Sequence, residues 1–342
     1  MTATAAVLER VESAAWAGAT PDVSVVIASH DRAGWLPELL DALAGQCDAP
    51  AYEVIVADDG SPPETWDALV KYAAAAPPGF ALLALRLPSC AGPSVPRNTA
   101  VAAARGDLLA FTDDDCLPEP GWLAALARAA AGGGVAQGRT LPTADGPASR
   151  WDRTIRIEAP SGLWESCNLA LPRALFDAVG GFPVLDLVQV AGRGFGEDVA
   201  LGAAAAARAG STWAPDAVVR HRWLPGDLRS HIAGARRVAG FPALIREVPA
   251  LRERTWHRWF LSPRSAAFDA AVIGVAAAIV RRRKRWLLLA GPWLRTLAAT
   301  AHAAPEPGLR AAAAAVVPDV VSDAVRCASL VEGSDSARTL LL

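Results

Sequence analysis

Three adjacent carboxylates, Asp113-Asp114-Asp115, follow the apolar run Leu108-Leu109-Ala110-Phe111-Thr112. Such a triplet repels itself, and its ionised form is costly to hold beside an apolar sheet edge. A divalent cation removes that cost. If strand alternation continues through the triplet, Asp113 and Asp115 leave on one side and can share a ligand. Hard cations such as Mg²⁺ or Mn²⁺ take oxygen ligands and commonly bind through one or two carboxylates plus substrate phosphates. A second pair, Asp58-Asp59, closes another short apolar run, Tyr52 to Ala57. An isolated triplet reads as a solvated acidic turn. Two acidic strand ends in one chain read as a site.

The elements that must position these groups alternate. Val23 to Ala28 is a β-branched apolar run, followed by Leu36, Leu39, Leu40 and Leu43 at helical spacing with Pro37 near the helix start. Phe80 to Leu87 reads as a third strand, Pro96 to Arg105 as a helix stopped by Gly106, Leu108 to Thr112 as a fourth strand and Gly121 to Ala130 as a helix. Strands apolar on both faces and alternating with helices imply an α/β doubly wound, mostly parallel sheet. Ligands on such sheets bind beyond the carboxyl ends of the strands, where the acidic clusters fall. Residues 132–160 read as loop. Helices over Arg173 to Val179 and Asp198 to Ala209 and a late strand over Ala217 to Arg220 follow.

Composition narrows the function. The chain has 342 residues, 52% apolar and 20% charged, so it can bury a large core. Its net charge of -2 gives no global field for nucleic acid. The turn after the first strand, Ser29-His30-Asp31-Arg32-Ala33-Gly34, lacks the G-x-G-x-x-G of a dinucleotide site, and neither Lys71 nor Lys284 lies in a P-loop. The five cysteines are scattered without a CxxC pair, as expected in a reducing compartment. Met1 to Thr20 carries Glu9, Arg10 and Glu12 and shows no apolar stretch of a signal peptide.

Five segments in register then resemble the family 2 glycosyltransferases of GT-A fold: Ser24 to Arg32, Val54 to Ser61, Pro96 to Ala100, Arg105 to Asp115, and a later block of Ser166-Cys167-Asn168-Leu169-Ala170, Gly180-Gly181-Phe182 and Gly196-Glu197-Asp198. The resemblance spans about Asp22 to Trp223. It implies an inverting transfer of a sugar from a nucleotide-diphosphate donor, with Mg²⁺ or Mn²⁺, to a glycan, lipid-linked or natural-product acceptor. It implies that Asp59 meets the base in a pocket also lined by Ala28 and Ser29. It assigns Asp115 to metal, Asp113 to ribose or metal, and leaves Asp114 on the donor side without a fixed role. Asp198 becomes the base, since inversion by single displacement needs an acceptor hydroxyl deprotonated opposite the leaving diphosphate. Glu197 and Asp198 also suit a helix start through its dipole. Arg97 reads either as a contact to the diphosphate or as an ion pair. His221 reads as a third metal ligand or as structural, Trp164 as a sugar platform or as core, and Asp31 as a turn residue or as a substrate contact. Trp164, Asn168 and Glu197 form the expected acceptor side. Rival readings are a nucleotidyltransferase, which would release pyrophosphate, and a non-catalytic membrane-associated relative.

The expected organisation is an extension over 1–20, a GT-A domain over 21–225 and a helical region over 226–342. In the last, apolar runs over 266–280 and 286–299 flank Arg281-Arg282-Arg283-Lys284-Arg285. Each run is shorter than the roughly 18 residues of a membrane span. The pair reads either as core helices joined by a solvated basic turn or as peripheral membrane contact through 266–300. The expected location is cytoplasmic, at the inner face of the membrane.

Overall fold

The computed structural model describes residues 3–185, 194–303 and 308–342. The chain divides into two compact units, the first ending at Pro225 and the second beginning at Gly226.

The first unit is built on one sheet of nine strands among the described residues: β1 (Glu9–Glu12), β2 (Val23–Ser29), β3 (Tyr52–Asp58), β4 (Leu82–Arg86), β5 (Leu108–Thr112), β6 (Cys116–Pro118), β7 (Val135–Pro142), β8 (Asn168–Pro172) and β9 (Ser211–His221), in the order β1-β4-β3-β2-β5-β8-β7-β9-β6. Its helices are α1 (Leu36–Ala44), α2 (Pro63–Ala75), α3 (Ser94–Ala103), α4 (Trp122–Ala130), α5 (Arg173–Val179) and α6 (Glu197–Ala209). The central block β4-β3-β2-β5 is parallel, and β7 runs parallel to β9. β8 is antiparallel to both β5 and β7.

The β-branched residues of β2 divide between two apolar layers. Val25 and Ile27 join the α1 stripe Leu36, Leu39, Leu40 and Leu43 in one layer; Val26 joins Phe111, Phe176 and Phe182 in the other. Each fully buried leucine of that stripe contributes about 1.5–3 kcal/mol. This two-sided burial is why the strands are continuous apolar runs rather than alternating ones. The register Ser29↔Asp58 brings the ends of β2 and β3 level.

Two expectations are corrected. Residues 1–20 are not a separate extension: β1 pairs antiparallel with β4, and Trp16 is buried. Glu9-Arg10-Val11-Glu12 is an edge strand with mostly exposed side chains, so it carries no apolar run to announce it. Residues 132–160 are not all loop, because β7 occupies Val135–Pro142.

Asn168, expected on the acceptor side, is fully buried and serves as a clamp. Its Oδ1 accepts from Trp122 Nε1–H at 2.9 Å, and its Nδ2 donates to the Arg139 and Ala217 carbonyls at 3.0 and 2.9 Å. It holds β7, β9 and α4 together and offers nothing to a ligand. Gly138 leaves room for it: a Cβ there would stand 2.2 Å from Asn168 Oδ1 and 2.5 Å from the Ala217 carbonyl oxygen. Gly138→Ala is expected to lower stability by about 1–3 kcal/mol, the usual cost of overpacking, read as a lower urea midpoint with an unchanged slope.

The second unit is helical: α7 (Leu228–Arg236), α8 (Phe241–Glu247), α9 (Pro263–Arg281), α10 (Gly291–His302) and α11 (Leu309–Ala337), with 3-10 turns at Arg237–Gly240, Pro249–Arg254 and Lys284–Ala290. Ser262 and Ser265 form a reciprocal cap on α9. Arg264 then forks onto Asp323 of α11, which also accepts from Trp293 Nε1–H of α10. This polar knot fixes the first turns of α9. Among the described residues, α9 alone is long and apolar enough to cross a membrane by length and composition, and 22% of its apolar window is buried.

Candidate active site

The strand ends β2, β3 and β5 and the start of α6 supply the site. Asp59 follows β3, and its backbone N–H donates to the Ser29 carbonyl at 2.8 Å. Its carboxylate is buried and already occupied. Oδ1 accepts from the Ala91 N–H (2.8 Å), while Oδ2 accepts from the Gly92 N–H (3.0 Å) and the Cys90 thiol (3.3 Å). The loop before α3 therefore folds over Asp59. Gly60 makes this approach feasible, with φ +65 and Ser89 backbone where a Cβ would stand. Ala28 is half-buried, and the buried Ser29 Oγ has no hydrogen-bond partner. Asp31 adopts φ +57, and its N–H donates to Ser61 Oγ, which is the turn role.

The acidic triplet does not continue the strand. β5 stops at Thr112, and the three carboxylates diverge to different partners. Asp113 Oδ1 accepts from the Arg97 guanidinium at 2.6 Å. Asp114 Oδ2 accepts from the His30 N–H at 2.9 Å, and Arg32 Nε lies 3.6 Å from Oδ1. Burial, reinforced by Asp115, pushes the Asp114 carboxyl up to about 7.

Asp115 faces His221, with Oδ1 3.4 Å from Nε2. The His221 Nδ1 sits 2.8 Å from the Arg222 carbonyl. A carbonyl only accepts, so Nδ1 carries the proton, and in the neutral ring the Nε2 lone pair points at a carboxylate oxygen. Positive charge satisfies this arrangement, as a proton on Nε2 or as a metal ion. A divalent cation fits, with the imidazole oriented by its second nitrogen as metal-bound histidines are. Cys116 lies close enough to be counted with them. Its burial pushes the thiol well above its ordinary value. The residues that would hold the ion are Asp115 and His221, with the remaining positions left to water and phosphate oxygens.

Arg97 is 7% exposed. Its guanidinium lies between Asp113 at the end of β5 and Glu197 of α6, the latter at 3.4 Å. Of its two sequence readings, the structure contains the ion pair. Asp198 follows Glu197 in the first turn of α6, after Gly196 at φ +75. Its Oδ1 accepts from the Val199 N–H at 2.8 Å. Burial, then the fields of Glu197 and Glu165, push its carboxyl from 3.8 up to about 7 against the opposing field of Arg97. Arg97 pairs with Asp113 and Glu197 and lowers Asp198 through its field, the field of Asp113 reaches Asp115, and His30 bridges the Asp59 carbonyl and Asp114.

Trp164, expected as a sugar platform, is half-buried, with its Cβ and Cγ where a Cβ on Gly202 would stand at 2.1–2.2 Å. It is the contact that seats α6. Sequence reasoning missed its neighbour Glu165, whose Oε2 accepts from Gln137 Nε2 (2.6 Å) and Ser161 Oγ (2.7 Å). It also missed Thr154, whose hydroxyl donates to the His221 carbonyl at 3.1 Å, and the loop over Asp59. Only adjacency to Trp164 hinted at Glu165; the others are contacts across long stretches of chain.

The family model Glycosyl transferase family 2 matches residues 24–186. A pre-mycofactocin glycosyltransferase of Mycobacterium tuberculosis is 36% identical over 107 residues, which are 31% of this chain and 20% of that protein. Glycosyltransferase AglE of Haloferax volcanii is 28% identical over 175 residues, 48% of this chain and 56% of that one. The chain therefore aligns with a fifth of the first relative and just over half of the second. A mannosyltransferase of Pyrobaculum calidifontis, solved with GDP-Man and Mn²⁺, shares the fold at a TM-score of 0.53 and 21% identity, over 95% of this chain and 89% of that one. Residues 24–186 thus match the family 2 glycosyltransferase model, and the fold is the one shared with that mannosyltransferase.

Proposed function

We propose that this chain transfers a glycosyl group from a nucleoside-diphosphate sugar to an acceptor hydroxyl with inversion, and that Asp198 is the base. The observation that carries the reading is Asp198 in the first turn of α6, beside the Arg97 that pairs with Asp113 and Glu197, with Asp115 facing His221 two residues beyond Asp113; burial and Glu197 raise the Asp198 carboxyl toward the working pH. A base that titrates near the working pH combines an ionised fraction with real proton affinity. When bound, Mg²⁺ or Mn²⁺ would neutralise the charge that builds on the leaving diphosphate. Everything else falls to the chain. Ala28 and Ser29 line the nucleoside pocket, and Asp59 meets the base through the acceptor capacity its carboxylate keeps beyond its bonds to the Cys90–Gly92 loop. Asp113 and Glu197 are kept in place by Arg97. Asp198 takes the acceptor proton, and Glu165 tunes it.

The acceptor is a glycan, a lipid-linked or a natural-product hydroxyl, met on the cytoplasmic side at the inner face of the membrane. No disulfide joins the cysteines among the described residues, which supports that compartment. A panel of nucleotide sugars with Mn²⁺ tests the reaction: slow hydrolysis should release nucleoside diphosphate from one donor. Release of pyrophosphate from a nucleoside triphosphate would overturn the reading in favour of nucleotidyl transfer.

The metal assignment has its own measurement. Losing a residue that merely orients a ligand costs about 10–100-fold in metal affinity, so His221→Ala is expected to weaken Mn²⁺ binding by at least that. Titration followed by the electron paramagnetic resonance of free Mn²⁺ reads it without turnover. Unchanged affinity would remove His221 from the site.

A further inference from the structure

We propose that the exposed end of α9 and the turn after it dock this protein on an anionic lipid bilayer, entering one leaflet without crossing it. This deepens the membrane-side part of the reading above, yet it rests on the surface of the second unit alone.

The apolar residues at this end are not core. Ile279 is 71% exposed, Val280 77% and Leu288 80%. Large apolar side chains this bare, and this close together, mark an interaction surface. Between them run Arg281, Arg282, Arg283, Lys284 and Arg285, all exposed, and no acidic residue occurs from 270 to 300. The turn folds tightly back on the helix: a Cβ on Gly274 would stand 2.6 Å from the Trp286 carbonyl oxygen and 2.9 Å from Leu289 Cβ. The segment therefore presents apolar side chains and a basic stretch together at one end.

Charge decides the occupant. A second copy docking through the same patch would bring two basic stretches face to face, because a twofold interface pairs a patch with itself. A nucleic acid would leave the apolar flanks uncovered. An anionic leaflet satisfies both halves, with Ile279, Val280 and Leu288 among the acyl chains and long basic side chains reaching headgroup phosphates.

Depth follows from burial along α9. Its first half is packed through Ala266, Phe268, Asp269 and Ala271, and Arg264 is tied to Asp323. Only residues 272–280 expose large apolar side chains, a length of about 13 Å at the helical rise. That is under half of the roughly 30 Å hydrocarbon core.

Flotation of the full chain, without donor or metal, tests the proposal. Vesicles of phosphatidylcholine are compared with vesicles of equimolar phosphatidylcholine and phosphatidylglycerol. The expected result is binding to the anionic vesicles only, weakening as salt rises. Replacing all five basic residues 281–285 by Gln should cut partitioning by about a hundredfold or more. Ile279→Ser with Leu288→Ser should also weaken it at an unchanged salt response, and circular dichroism checks that each variant folds. Binding that ignores lipid charge, or that survives the Gln variant, overturns the proposal. So does a wild-type dimer in light scattering that Leu288→Ser dissociates without any vesicle binding. Because no turnover is measured, failure here leaves the catalytic reading standing, and failure of the donor panel leaves this one standing.

Discussion

Asp198→Asn is expected to lower glycosyl transfer by about 10²–10⁴-fold, the usual worth of a positioned general base, while donor binding survives. The amide keeps the side chain's shape and its oxygen can still accept from the Val199 N–H. What it loses is the ability to take a proton. The pH profile separates this from a packing effect. A base works when deprotonated, and this carboxyl is held at about 7 by burial and by Glu197. Wild-type transfer should therefore fall as pH drops through about 7 and level off above it. That limb should vanish in the Asn variant. Stability should move the other way. A carboxyl raised from 3.8 to about 7 binds its proton more tightly folded than unfolded, so the native state loses stability as pH rises through that window. Asn carries no charge to bury, so the variant should melt higher than wild type at neutral pH and gain nothing in strong acid. An inactive protein that is also more stable at neutral pH cannot owe its inactivity to unfolding. Persistence of the acidic limb in the Asn variant would remove Asp198 as the base.

The parts of this fold legible from sequence were those set by local burial. Val23 to Ser29 and Tyr52 to Asp58 are buried on both faces, and their apolar runs say so. The α1 leucines recur at helical spacing because one face of the helix meets the sheet. What escaped was set by contacts far along the chain. Gln137 and Gly138 are poor strand residues by propensity; they stand in β7 because Glu165 and Asn168 need a partner and a space. Asn168 lies in a segment that resembled an acceptor-side motif, yet its four-way fit to Trp122, Arg139, Ala217 and Gly138 makes it a clamp. The acidic triplet announced a site but not its wiring. Strand alternation holds only while the strand lasts, and beyond Thr112 each carboxylate turns toward a different partner. Those partners, Arg97, His30 and His221, come from three other segments.

Arg97 is the residue whose removal should disturb this wiring most. Its guanidinium is 7% exposed and is the cation that Asp113 and Glu197 share. Breaking a buried pair by deleting one partner costs about 3–5 kcal/mol, because the other charge is left buried and uncompensated. Here two carboxylates lose the same partner, so Arg97→Met should fall at the upper end of that range, read by urea denaturation. Met keeps much of the length and apolar stem, which limits any cavity contribution. Arg97 also lowers Asp198, so its loss should carry the acidic limb of the rate profile above 7. Arg97→Lys retains the charge but not the planar fork that spans two acids. It should recover part of the stability, with the limb returning toward its wild-type position. A contact to the diphosphate predicts a different pattern: weaker donor binding, with stability and the limb unmoved. The joint measurement of denaturation midpoint, donor affinity and pH profile in these two variants therefore decides whether this arginine organises the acids or grips the substrate.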